Sequence, residues 1–362
     1  MSEHYFCVHC NFYQPPRGNP FQNDALGVEP GAEPYKNFNE KAAALCYTPN
    51  ADLGNFDKLS FNVGNALMRW LEPNAPATYA RIIEADRRHL DRWGVGNALA
   101  QPTHHAILPL CKPRDQALLV RWGLLSYEHR FGHAPAGLWL PNLAVTLDVL
   151  QVLHDHGIKF TVLGQAQVDG AHDGAGPYWV RLPDGGRIAV YVRDDNLSNT
   201  VAFAIRTLGG AGRWVRNVLV PGRRRGGGLL LAFEGETFGY HYPGEENFLH
   251  WLLDYEAVAT GYNVTTLARD LQEHPPQAEV TVREHTAWNS TRELTRWRGA
   301  LRQAFDHLAN RLDDVYLSYA QGAGAEPWRL REEYLRVRLG QITEAQLMQR
   351  AGPKNVTIQQ AT

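Results

Sequence analysis

The chain is short of several things, and each shortage narrows its role. Nowhere in its 362 residues do 18 or more apolar residues run together, so no helix is expected to cross a membrane. The opening "MSEHYFCVHC" has no basic stretch leading into an apolar one, so no secretory leader is read there and a cytoplasmic location is expected. Net charge is close to zero, at a formal −2, and the one basic run, "PGRRRGGG" (221–228), reads as a solvated turn. Such a balance recruits neither nucleic acid nor an anionic membrane. Cysteine is scarce, at positions 7, 10, 46 and 111. "CVHC" has metal-type spacing but no second close pair, and on a strand Cys7 and Cys10 take opposite faces. Free thiols are the expected state. His104 and His105 would suit a metal, but no Asp-Asp pair follows the first strand, so no metal site and no cofactor are expected.

Apolar and aromatic residues are plentiful. Hydrophobic residues make up 44%, with 10 Trp, 15 Tyr and 13 Phe, enough for a large core and for the flat walls of a sugar cleft. "GLWLP" (137–141) is a short apolar strand that Pro141 and Asn142 close. Leu143, Leu147, Leu150 and Leu153 then recur at helical spacing, Gly157 suits the helix end, and "IKFTVLG" (158–164) is a second apolar strand. Strand, helix and strand in this order make a parallel crossover.

Further strand-like runs are "HYFCVH" (4–9), "KLSFNVG" (58–64), "RIAVYVRD" (187–194), "GLLLAFE" (228–234) and a weaker one at 104–110, with a helix over 77–94. Alternation of this kind predicts a doubly wound sheet or a parallel barrel. The absence of a glycine-rich phosphate loop after the first strand favours the barrel. His9, Asn62, Asn142, Asp194 and Glu234 stand at strand C-terminal ends, where a β/α barrel builds its site. From about 285 the pattern turns helical: apolar residues step by three or four from Leu294 to Tyr319, and a second helix follows over 326–340. The expected organisation is a barrel over 1–275, a helical region over 285–345 packed on it, and a polar tail over 346–362.

Glu234 and Glu236, in "FEGETFGYHY", end a strand that is otherwise apolar. One of them could be a general acid raised by apolar neighbours, or both could be surface carboxylates at a loop start. Asp194 and Asp195, in "VRDDNLS", read either as a base working from the opposite face or as a strand end paired locally with Arg193.

Motifs along most of the chain, in order, resemble glycoside hydrolase family 57, and in particular a branch opening HGHFYQPPREN. They include "VHCNFYQPPRGNP" (8–20), "KLSFNVGNALMRWLE" (58–72), "GNALAQPTHHAILPL" (96–110), "RWGLLSYEHRFGHAPAGLWLPNLAV" (121–145) and "FEGETFGYH" (233–241). The resemblance implies an incomplete, TIM-like (β/α)7 barrel, action on α-glucan or maltooligosaccharide, a retaining mechanism and no metal or organic cofactor. It implies an acid/base at residue 234 and a nucleophile at residue 142. The remaining expected substrate contacts are His9, Gln14, Trp139, Asp194, Asp195, Glu236, His241 and Trp288.

Three positions depart from that pattern. The acid is Glu234 where the family has Asp, the second His of the opening motif is Asn11, and the nucleophile Glu is Asn142. An amide has no anionic oxygen with which to form a glycosyl ester. Two expectations follow: a glycosidase or 4-α-glucanotransferase with a changed nucleophile position, or a catalytically impaired relative that still binds α-glucan.

Overall fold

The computed structural model describes residues 4–18, 26–170, 174–222, 227–288, 294–322 and 325–352. Its strands are β1 (His4–Phe12), β2 (Ser60–Val63), β3 (Phe160–Gly164), β4 (Val168–Asp169), β5 (Tyr178–Arg181), β6 (Arg187–Arg193), β7 (Gly227–Glu234), β8 (Tyr262–Thr265) and β9 (Thr281–Val282). β1 runs parallel to β7 along one side and to β2 and β8 along the other. From β2 the ring continues through single bridges: Phe61 to Ala98, Ala100 to Leu138, and Gly137 to Phe160 in β3. β3 is parallel to β6. The ring closes where the Asp194 N–H, just past β6, donates to the Leu230 carbonyl of β7 at 2.9 Å. Together the strands and bridged segments form an incomplete (β/α)7 barrel with helices outside it.

Strand alternation sorts the core into two populations. Phe6, Val8, Cys10 and Phe12 of β1, with Leu231 and Phe233 of β7, pack outward under the helices. Cys7, Leu230 and Ala232 join Trp139, Val162 and Tyr191 in a separate, interior cluster. The two cysteines of "CVHC" therefore lie in different clusters, and all four cysteines are free. By the same parity His9 and Asn11 of β1, and Glu234 of β7, continue the inward row toward the C-terminal rim. Both faces of these strands are buried, as parallel strands between helices and a filled interior require.

Several local expectations need correction. No strand forms at 104–110, where Leu108–Leu110 is a 3-10 turn; the barrel segment lies earlier, around 98–100. The helix expected from Leu143 begins at Leu147, where Thr146 caps it by accepting from the Val149 N–H. Residues 344–351 form a helix capped by Thr343, so the polar tail does not begin at 346. β9 pairs with β4, which carries strand structure past 275.

In the C-terminal region, helix Pro327–Arg338 packs on helix Pro113–Phe131. Arg121 pairs with Glu332 there, Arg331 pairs with Asp115 at 3.0 Å, and Trp122 Nε1 donates to the Glu332 carbonyl at 2.9 Å. Helix Ala300–Gly322 meets the body mainly through polar groups: Asp313 accepts from Lys112 at 2.6 Å and from Arg114 at 2.8 Å. Its apolar stripe faces outward, contrary to the packing its amphipathic pattern suggests.

Candidate active site

A chain of directed hydrogen bonds runs across the top of the barrel interior. Burial depresses the His9 pKa to about 3, so its ring is neutral. His9 Nε2 lies 2.9 Å from Asn62 Oδ1 and must donate, because an amide oxygen only accepts. The Asn62 amide nitrogen donates to Gln101 Oε1 at 2.5 Å and to Asn11 Oδ1 at 2.7 Å. Asn11 Nδ2 in turn donates to Glu234 Oε2 at 2.6 Å. His9 and Asn62 thus orient the Asn11 amide, which presents its N–H to one carboxyl oxygen, while Gln101 holds the Asn62 amide from the other side.

Glu234 is open to solvent on one side and surrounded by protein on the others. That surrounding pushes its pKa up to about 7, against the opposing pull of the Asn11 hydrogen bond and the Arg193 charge. Near neutral pH its protonated and ionised forms are both well populated, as an acid/base requires. Gly235 follows because nothing larger fits: an added Cβ would meet the Phe12 ring at 2.3 Å.

Glu236 behaves differently. It is buried, with Oε1 accepting from the Tyr47 hydroxyl at 2.6 Å and the Tyr13 N–H at 2.9 Å. Burial, followed by the Glu234 charge, lifts it to about 8. It fastens the turn after β7 to the segment after β1.

Asn142 sits in a left-handed turn with φ 54°, followed by Leu143 at φ 50°. Asn tolerates that region, whereas Leu does not do so readily, so surrounding structure must hold the pair there. The Trp288 N–H donates to the Asn142 carbonyl at 3.0 Å, and Gln167 Nε2 donates to the Leu143 carbonyl at 2.7 Å. Asn142 Nδ2 lies 3.5 Å from His105 Nε2; the His105 ring stacks on Tyr13 with centroids 4.0 Å apart.

Asn142 and Glu234 line one cavity of about 870 Å³. Asp195, His241 and Trp288 also line it, and Arg193 and Arg296 add positive charge. The other expected contacts stand back from its wall. Trp139 and His9 are fully buried and stacked on each other at 4.5 Å, so neither offers a free face. Gln14 is buried and accepts from Arg17 at 3.0 Å. Asp194 caps helix Asp195–Ala204 by accepting from the Leu197 N–H at 2.9 Å. Glu236 is the buried tie described above. None of these five lines the cavity, and Asp194 lines a neighbouring one.

Asp195 reaches the cavity but is already committed: Arg193 Nε donates to it at 2.8 Å and the Ala166 N–H at 3.2 Å. This is the local ion pair that "RDD" allowed. Among the described residues, the side chains grouped closely enough for a metal are the exposed His154, Asp155 and Asp184, which do not line the cavity. Asn11, Arg193 and His105 were not picked out as site residues. Asn11 and Arg193 had a usable signal, since Asn11 shares inward parity with His9 on β1 and Arg193 shares it with the interior Tyr191 on β6.

A roomy cavity with an acidic group at the C-terminal rim of a parallel barrel stands where β/α-barrel enzymes build their active sites. The family comparison is specific: residues 38–283 match the model of glycosyl hydrolase family 57, and the chain belongs to that family. Residues 294–360 match a domain of unknown function (DUF3536). No curated protein matches the sequence significantly.

Solved structures share the fold. An exo-type maltose-forming amylase from Pyrococcus sp. ST04 superposes with TM-score 0.73 at 15% identity, over 96% of this chain and 68% of that one. The 4-alpha-glucanotransferase from Thermococcus litoralis gives 0.63 at 15%, over 98% of this chain but 49% of its own. A branching enzyme of the family from Pyrococcus horikoshii gives 0.66 at 14%, over 96% and 88%. At such identities the likeness is one of fold.

Proposed function

We propose that the rim cavity is an α-glucan site of glycosidase type, with Glu234 as acid/base and an amide, Asn142, where the covalent nucleophile would stand. The observation that carries this is that both residues line the same cavity of about 870 Å³, room for more than one sugar ring. Glu234, held near neutrality, can protonate a glycosidic oxygen as the bond to the anomeric carbon breaks. Asn142 cannot capture that carbon as an ester, so hydrolysis or transfer by way of a glycosyl-enzyme is closed to it. Asp195 is a poor substitute, because Arg193 and the Ala166 N–H already occupy its oxygens. Trp288 offers a flat wall for stacking, and His241 and Arg296 offer polar contacts.

The amide favours a second reading, a binding module that retains the cleft without turnover. Titration calorimetry with maltooligosaccharides, alongside an assay for new reducing ends, separates the two. Binding with release of reducing ends supports an enzyme; binding alone supports the module. Absence of binding by any α-glucan removes both.

A further inference from the structure

Helix Ala300–Gly322 is turned inside out. Leu301, Phe305, Leu308, Leu312, Val315 and Tyr319 are 71%, 57%, 50%, 57%, 53% and 79% exposed. Their steps of four, three, four, three and four residues are those of a coiled-coil seam, and they make one continuous apolar stripe. The face toward the body is mainly polar: Asp313 takes Lys112 and Arg114, and Arg302 donates to the Leu110 carbonyl, with Ala320 the one buried apolar residue of the helix. Tyr316 packs its ring 5.6 Å from Trp328. A 23-residue helix gains little from polar contacts of this kind, because helices in proteins are held chiefly by burying an apolar face.

We propose that this stripe is the seam of a homodimer in which two copies of the helix pair antiparallel. The spacing reads the same from either end, so a two-fold axis near residue 310 sets Leu308 against the partner copy's Leu312. The same axis sets Phe305 against Val315, and Leu301 against Tyr319, of the other copy. Each large ring thus meets a smaller aliphatic side chain. Half of the six residues flanking the seam are small, Ala304, Ala309 and Ser318, which lets the helices approach closely at those positions. Six residues of this size at these exposures leave on the order of 700 Å² open per copy, close to the ~800 Å² per partner of a standard interface. That area is what selects a protein occupant over a small molecule.

Two flanking charges qualify the seam. Arg302 is held by Asp306 at 2.7 Å on its own helix. Arg311 meets its own copy near the axis, so added salt strengthens the dimer, opposite to a charge-paired interface.

Sedimentation equilibrium on the full chain tests this. A dimer at micromolar concentration is expected, tightening with sodium chloride and dissociating in the double variant Leu308→Glu, Leu312→Glu with its circular dichroism unchanged. Should that variant misfold, a second measurement decides. The double variant Leu308→Cys, Leu312→Cys should form an interchain disulfide under mild oxidation, whereas Leu301→Cys alone should not. A monomeric wild type, a dimer indifferent to the glutamates, or efficient crosslinking through Leu301→Cys overturns the proposal. So does a monomer that floats with phosphatidylcholine vesicles, which would assign the stripe to a lipid surface.

Discussion

Asn11 Nδ2 donates to Glu234 Oε2 at 2.6 Å, and the two residues are directly paired across β1 and β7. The amide favours the ionised carboxyl while the surrounding protein disfavours it. Replacing Asn11→Ala removes the favourable contribution and lifts the Glu234 pKa above about 7. In an Asn142→Glu background, the alkaline limb of kcat/KM should move to higher pH, with roughly tenfold lower activity from looser positioning of the acid. An unmoved limb would mean that Asn11 does not tune Glu234.

Glu236 makes a prediction about stability, with its sign fixed by linkage. Unfolded, its carboxyl titrates near 4.5; folded, it keeps its proton to about 8. Between those values the native state carries the extra proton, so stability falls as pH rises through the window. Glu236→Gln can still accept from Tyr47 and Tyr13, and it should flatten that decline. Urea midpoints of the two proteins should diverge with rising pH, the variant being the more stable at pH 8. Parallel pH profiles would contradict the assignment.

Tyr47→Phe tests the same tie from the other side. It removes the hydroxyl that donates to Glu236 at 2.6 Å and leaves a buried carboxyl short of a partner. The expected loss is about 1–3 kcal/mol of unfolding free energy, read from denaturant curves.

Trp288 is half-buried, edge-on to Trp139 at 5.4 Å, with the Arg193 guanidinium 5.0 Å from its ring centroid. It is one of the aromatic residues lining the cavity, with Phe203 and Tyr242 elsewhere in its wall. Trp288→Ala should weaken maltooligosaccharide binding roughly tenfold, about 1.4 kcal/mol. Trp139→Phe, with Trp139 fully buried beneath it, should leave affinity nearly unchanged if the fold holds.

Much of this was legible in the sequence because strands carry their own parity. In β7 the inward row Leu230, Ala232 and Glu234 can be read directly from the alternation. The segment at 98–100 could not be read that way: "NALAQ" has no β-branched residue and is held by single bridges from Phe61 and Leu138. The turn at Asn142 and Leu143 depends on donors from Gln167 and Trp288, remote in sequence. For the same reason Trp139 and Trp288 look equivalent as letters, although one lies under the floor of the cavity and the other in its wall. The helix from Ala300 was visible as amphipathic, but Asp313 binding Lys112 and Arg114 turned its apolar side away from the barrel.

The central claim is that residue 142 faces the anomeric carbon of an α-glucoside which Glu234 protonates. Chemical rescue tests it most directly. With an α-glucoside carrying a good leaving group, added azide should restore turnover to the wild-type protein and yield the β-glucosyl azide, since a small anion enters from the side where Asn142 stands. Asn142→Glu should turn over without azide and give a product of retained α configuration. Failure of azide to form any glycosyl azide, together with an inert Asn142→Glu variant that still binds maltooligosaccharide, would contradict the account.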